Sequence, residues 1–150
     1  MLNQQDTISA KEGSVFMTVG GETLELAEVK TFLAEVELTI ADVQSVGQRM
    51  LGSKVVGAEG TGEMTYHYQN PRVRRIFYNY VKNGIMPQIS VKVTNADLTS
   101  QAGRQTVLVK GIVFETAKIA EIDATSDDIL EDETSFRFND FELLEEFKSL

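Results

Sequence analysis

Apolar and polar residues alternate along much of this chain with a period of two, the mark of strands that bury one face. Ser14–Val19 is the first such run, and Gly20–Gly21 after it suits a two-residue hairpin turn. Glu22 to about Val43 has helix-forming composition in its first half. In its second half, however, Phe32, Ala34, Val36, Leu38 and Ile40 alternate with Thr31, Glu35, Glu37 and Thr39, so this segment is expected to be an amphipathic strand. Residues 47–60, within the glycine-rich run GQRMLGSKVVGAEGTG, hold no sustained apolar period and are expected to form a long loop. A further strand places Met64, Tyr66 and Tyr68 on one face and Thr61, Glu63, Thr65, His67 and Gln69 on the other.

The period changes to that of a helix only once. Val73, Ile76, Phe77, Tyr80 and Val81 form one stripe over residues 71–83, with Asn70 as N-cap, Pro71 as the first helical residue and Gly84 as the stop. This helix is expected to be scaffold, with Arg72, Arg74, Arg75 and Lys82 off the stripe. Ile89, Val91 and Val93 resume the strand period. Thr106–Glu115 and Thr116–Ile122 are expected to be strands bent near Gly111, followed by an irregular acidic stretch over 123–132. Residues 135–140 alternate again and lead into a short amphipathic tail, FELLEEFKSL. About seven strands and one helix predict a mainly β protein, a sandwich or half-barrel with the helix packed on it. The 150 residues suffice for one domain, with an N-terminal arm over 1–13 and an acidic C-terminal segment over 123–150.

Composition narrows the function. Cysteine is absent and there is one histidine, which excludes disulfide scaffolding, a thiol nucleophile and a histidine-cluster metal site. No apolar run approaches the ~20 residues of a membrane span, and the N-terminus has no apolar signal core. A soluble protein made and used without the general secretory route is expected. The net charge of −9 divides into −6 over residues 1–70, +6 over 71–118 and −9 over 119–150. The acidic balance disfavours tight binding of a polyanion, and the segregated blocks can neutralise one another within the fold or between copies.

Candidate chemistry is sparse. His67 and Glu63 share a strand face but have no nucleophile beside them, and Glu35 and Glu37 together simply solvate a face. Residues 123–133 lack the spacing of a calcium loop, and the glycines around Gly57 lack the Lys-Ser/Thr of a phosphate loop. Neither an enzyme nor a cofactor is expected.

Four segments in order, KEGSVFM, VGQRMLGSKVVGAEGTG, YVKNGIMP and KIAEIDATSDDILEDETSFRFNDFELLEEF, resemble the tail tube (core tail) protein of contractile-tailed phages and PBSX-like prophages. The resemblance implies a structural subunit whose hexameric rings stack into a hollow tube inside a contractile sheath, as a conduit for DNA or as a rigid inner needle. It implies partners as well: further copies of the chain, tail sheath, tape-measure, baseplate and tail-terminator proteins, and DNA in non-specific passage, but no membrane. It implies a place in the virion tail or prophage particle, assembled in the host cytoplasm. Within that expectation Glu35, Glu37, Thr39, Thr61, Glu63, Thr65, His67 and Gln69 face the lumen, a polar wall without Lys or Arg from these two strands. Arg49, Lys54, Gly47, Gly52 and Gly57 contact the adjacent ring. Two alternatives remain at this point, the tube protein of a related contractile injection system and a monomeric β-barrel binding module.

Overall fold

The computed structural model describes residue 4 and residues 13–26, 29–68, 71–98 and 100–148. The expected N-terminal arm, apart from residue 4 and Gly13, lies outside this set, as do Gln69 and Asn70. Nine strands and one helix follow in the order β1 (Gly13–Val19), β2 (Glu22–Glu25), β3 (Val29–Val43), β4 (Gly52–His67), α1 (Arg72–Asn83), β5 (Ile89–Ala96), β6 (Arg104–Lys110), β7 (Val113–Phe114), β8 (Glu131–Phe138) and β9 (Asp140–Glu145). All described pairings are antiparallel. One sheet has the order β2-β1-β5-β6-β9, the other β3-β4-β8-β7. The mainly β class with one helix is as the alternation predicts.

The β1–β2 turn follows from Gly20 and Gly21, whose φ angles of 58° and 94° are the two consecutive positive values such a turn requires. Between the sheets, Met17, Val91 and Val109 from the first meet Met64, Tyr66, Phe114, Phe136 and Phe138 from the second, with Val73 and Ile76 of α1. The aromatic side chains form a chain of contacts, Phe32 stacked on Phe136 at 5.3 Å and Phe114 edge-on to Phe136 at 5.9 Å. The glycines that read as loop residues make room for these rings. A Cβ on Gly62 would lie 2.3 Å from the Phe136 ring, and one on Gly60 2.6 Å from the Phe138 ring.

Four expectations are corrected here. The long loop over 47–60 shrinks to residues 44–51, because Gly52–Gly60 already belongs to β4 and pairs with β3. Its alternation was hidden by those glycines and by a register shift at Thr39/Ile40, where Val56 is an extra residue. Residues 116–122 form no strand. They run along the molecule without a ladder, held by Thr134 Oγ1 donating to the Thr116 carbonyl at 2.5 Å and by the Glu121 N–H donating to the Tyr68 hydroxyl at 3.0 Å. The acidic tail begins as β9, an edge strand on β6 held by the pairs Lys110–Glu142 and Arg104–Glu145. At the start of α1, Pro71 stands one position before the helix and not inside it, and Gly84 ends it in the left-handed conformation.

Candidate assembly surface

β3 and β4 form one long hairpin, but β8 pairs only with Gly60–His67. Beyond that point residues 36–59 continue as a two-stranded arm. Register assigns its two sides. On one side Glu35 opposes Thr61, Glu37 opposes Glu59 and Thr39 opposes Gly57. The ladder continues this side across β8, where Glu63 meets Ser135, Thr65 meets Glu133 and His67 meets Glu131. The residues singled out for a polar wall, Glu35, Glu37, Thr39, Thr61, Glu63, Thr65 and His67, therefore do share one face. Thr65 and His67 are half-buried and the others exposed.

That face holds a cation the pattern of two strands could not reveal. Arg137 of β8 lies directly opposite Thr61, and its guanidinium is 3.7 Å from Glu59 and 3.5 Å from Glu115. Lys54 also belongs to this side, opposite Ala41. The expectation of a face without Lys or Arg fails because β8 is a third contributor and because the extra residue Val56 turns Lys54 of β4 to this side. The missed signal was the alternation Ser135, Arg137, Asn139 against Phe136 and Phe138, which places Arg137 away from the core. At the root of the face Lys30 donates to Glu131 at 2.6 Å and holds its carboxyl below the usual range.

The other side of the arm is apolar and open. Val36, Leu38, Ile40 and Val55 are 42–59% exposed, although their spacing is that of core residues. At its root this side meets Phe138 and Phe141, which touch edge-on at 6.5 Å. The tip carries Val46, Met50 and Leu51 with Arg49, all exposed. Of the five residues assigned to a ring contact, Gly47 and Arg49 are in the turn region. Gly52, Lys54 and Gly57 lie in β4 instead of a loop.

The helix divides in the same way. Val73 and Ile76 are buried, and Phe77 is half-buried against the core. Tyr80 and Val81 are 53% and 72% exposed and are not scaffold residues. The stripe outruns the core because α1 leaves the sandwich after two turns. Arg74 was expected off the core but is tied into it. It donates to the Tyr68 carbonyl at 2.5 Å, lies 4.4 Å over the Tyr68 ring and is 3.8 Å from the fully buried Asp132. Asp132 accepts from the Tyr66 hydroxyl at 2.6 Å. Burial and that carboxylate push the Tyr66 hydroxyl far above the usual phenol range.

No group of acidic and histidine side chains among the described residues could hold a metal ion. The sequence matches, over residues 1–145, the family described as "Phage tail tube protein". The chain belongs to that family. It is 39% identical over 148 residues to the uncharacterized protein YqbM of Bacillus subtilis (strain 168), covering 99% of this chain and 97% of that one. It is 38% identical over 144 residues to the phage-like element PBSX protein XkdM of the same strain, covering 96% and 95%. Its fold matches a chain in the six-fold-symmetrised cryo-EM structure of the anti-feeding prophage baseplate, with a TM-score of 0.72 at 12% identity over 96% of this chain and 97% of that one. The tail tube family is structural. The chain is accordingly a tail tube subunit and not an enzyme, and its place is the tail.

Proposed function

We propose that copies of this chain close into six-fold rings that stack into a hollow tube, with the acidic face lining the bore and a contractile sheath outside. The observation that carries this reading is the two-sided arm. A strand pair that extends beyond its own sheet with one apolar side exposed marks a surface for another molecule to cover, and open strand edges invite pairing. Six is the copy number implied by the resemblance to contractile tails. The other side suits a conduit, since its carboxylates repel phosphates. Of the cations on it, Arg137 is shared between Glu59 and Glu115 and Lys30 is paired with Glu131, while Lys54 lies toward the tip and is proposed below for the ring contact. Glu35, Glu37, Thr39, Thr61, Glu63, Thr65, His67 and Gln69 are the proposed lumen residues.

Arg49, Lys54, Gly47, Gly52 and Gly57 are proposed at the ring-to-ring contact, with Arg49 at the exposed tip as the leading group. In this reading the tube is built in the host cytoplasm around a tape-measure protein, between a baseplate and a terminator. It then passes DNA or serves as a needle. Light scattering and negative-stain microscopy of the purified protein test the assembly directly. Particles of about 100 kDa or filaments are expected from the 16.7 kDa chain. Monomer alone at high protein concentration, without tubes in the microscope, supports a monomeric binding module instead.

A further inference from the structure

After β7 the chain crosses the sandwich as a strap, residues 116–122, that joins no ladder and is pinned mainly by side chains of β4 and β8. Thr134 Oγ1 donates to the Thr116 carbonyl at 2.5 Å. The Lys118 N–H donates to Asp132 Oδ1 at 3.4 Å, and the Glu121 N–H donates to the Tyr68 hydroxyl, just past β4, at 3.0 Å. Lys118 Nζ adds a bond to the Glu131 carbonyl at 2.9 Å. Apolar burial contributes little: Ala117 packs against the core, but Ile119 and Ile122 are 67% and 92% exposed. A segment with few buried apolar contacts belongs to the part of a fold that opens most readily.

The helix is tied to two of the same residues. Arg74 of α1 donates to the Tyr68 carbonyl, lies over the Tyr68 ring and is 3.8 Å from Asp132, which also accepts from the Tyr66 hydroxyl. Between the two elements themselves lies an open groove of about 500 Å³, with Phe77 and Val81 on one wall and Ala117 and Ile119 on the other. The polar connection from strap to helix therefore runs through Tyr68 and Asp132. Asp132 is fully buried, and a buried carboxylate that loses one partner is left with poorly compensated charge. Its partners are accordingly held as a network and not as separate pairs. We propose that Tyr68 and Asp132 couple the strap to α1, so that releasing either element loosens the other and widens the groove while the two sheets stay packed. The coupling is internal to one subunit and does not depend on the ring reading.

Coupling of this kind is reciprocal, and that property gives the test. Thr134→Val removes a bond made to the strap, and Arg74→Ala removes one made by α1. Hydrogen exchange of the full chain, read by mass spectrometry, follows both segments. In the unmodified protein the amides of residues 116–122 and of α1 are expected to exchange faster than those of β5 and β6. Thr134→Val should speed exchange across the strap by roughly three- to tenfold, the effect of one lost hydrogen bond, and should speed α1 with it. Arg74→Ala should in turn speed the strap as well as α1. Should Thr134→Val fail to fold, which circular dichroism reads, Tyr68→Phe removes the acceptor of the Glu121 N–H instead. Exchange that rises only in the element whose own bond was removed would overturn the coupling, as would α1 amides as slow as those of β5 and β6.

Discussion

Near the sandwich, β4 lies between β3 and β8, its glycines sit beneath Phe136 and Phe138, and Met64 and Tyr66 are 1% exposed. A few residues further along, the same two strands have only each other, and Leu38 and Ile40 stand more than half in solvent. The alternation of apolar and polar residues does not change between the two regions. What changes is the supply of covering surface, which comes from within the chain at the root and has to come from elsewhere along the arm. An apolar period that continues past the end of a core is therefore a record of a partner. The exposed half of α1 repeats the lesson on a different element.

The largest effect that separates the two regions should come from the aromatic cluster. Phe136→Ala is expected to destabilise the isolated subunit by about 3–5 kcal/mol. Leu38→Ser should leave subunit stability within about 0.5 kcal/mol while abolishing rings. Chemical denaturation of the subunit, with microscopy of the same samples, reads both, and equal destabilisation would erase the distinction.

Arg74→Ala comes next, at about 1–3 kcal/mol, because it leaves the buried Asp132 without its charged neighbour and a carbonyl without a donor. Loss of under about 0.5 kcal/mol would return Arg74 to the solvated face. Glycines sharpen the contrast within β4. Gly62→Ala forces a Cβ to 2.3 Å from the Leu33 carbonyl and the Phe136 ring and should cost about 1–3 kcal/mol. Gly57→Ala meets nothing closer than 3.8 Å and should be near neutral in thermal unfolding.

Charge at the tip of the arm is expected to act between copies. Arg49→Glu with Lys54→Glu should preserve the folded subunit and shorten tubes, as should high salt for the unmodified protein, since ~1 M salt cuts the Debye length to ~3 Å. Tube lengths unchanged at low salt would remove these residues from the ring contact. The smallest effect belongs to Lys30–Glu131 at the root. A carboxyl held below its ordinary value of 4.5 stabilises the fold above that value, and the contribution is lost as pH falls through the lowered one. Lys30→Met should thus flatten the acid side of the stability curve below about pH 4.5, seen by denaturation at stepped pH.

Much of this was legible from residue order alone. Class, the helix and the facing of Glu35, Glu37, Thr61 and Glu63 follow from simple periods. Four things were not, and each has a physical reason. β4 looked like a loop because glycine carries no hydropathy signal, although Gly60 and Gly62 are small for the sake of rings more than seventy residues away in sequence. Arg137 reached the polar face through long-range pairing of β8, which no local window contains. Arg74 left its expected side because a buried carboxylate, Asp132, arrives from another sheet strand and draws it inward. The exposure of Tyr80 and Val81 was invisible because a period tells which side of a helix is apolar and not how far along it the core extends.

The extra residue at Val56 has a bearing on how such an arm can change over generations. On the root side of it Glu59 and Gly57 share the acidic face. Beyond it Val55 turns to the apolar side and Lys54 to the acidic one. Parity along β4 is reversed at that point because Val56 is extra, so the loss of that one residue would restore an unbroken ladder with Val55 still opposite Ile40 and Lys54 still opposite Ala41. A single-codon deletion in the regularly paired part of either strand would instead slip its register and turn the residues beyond it to the other side, whereas losses matched across both strands in steps of two would shorten the arm without inverting it. Lineages of this subunit are therefore expected to tolerate loss of the extra residue and otherwise to differ in arm length by even increments.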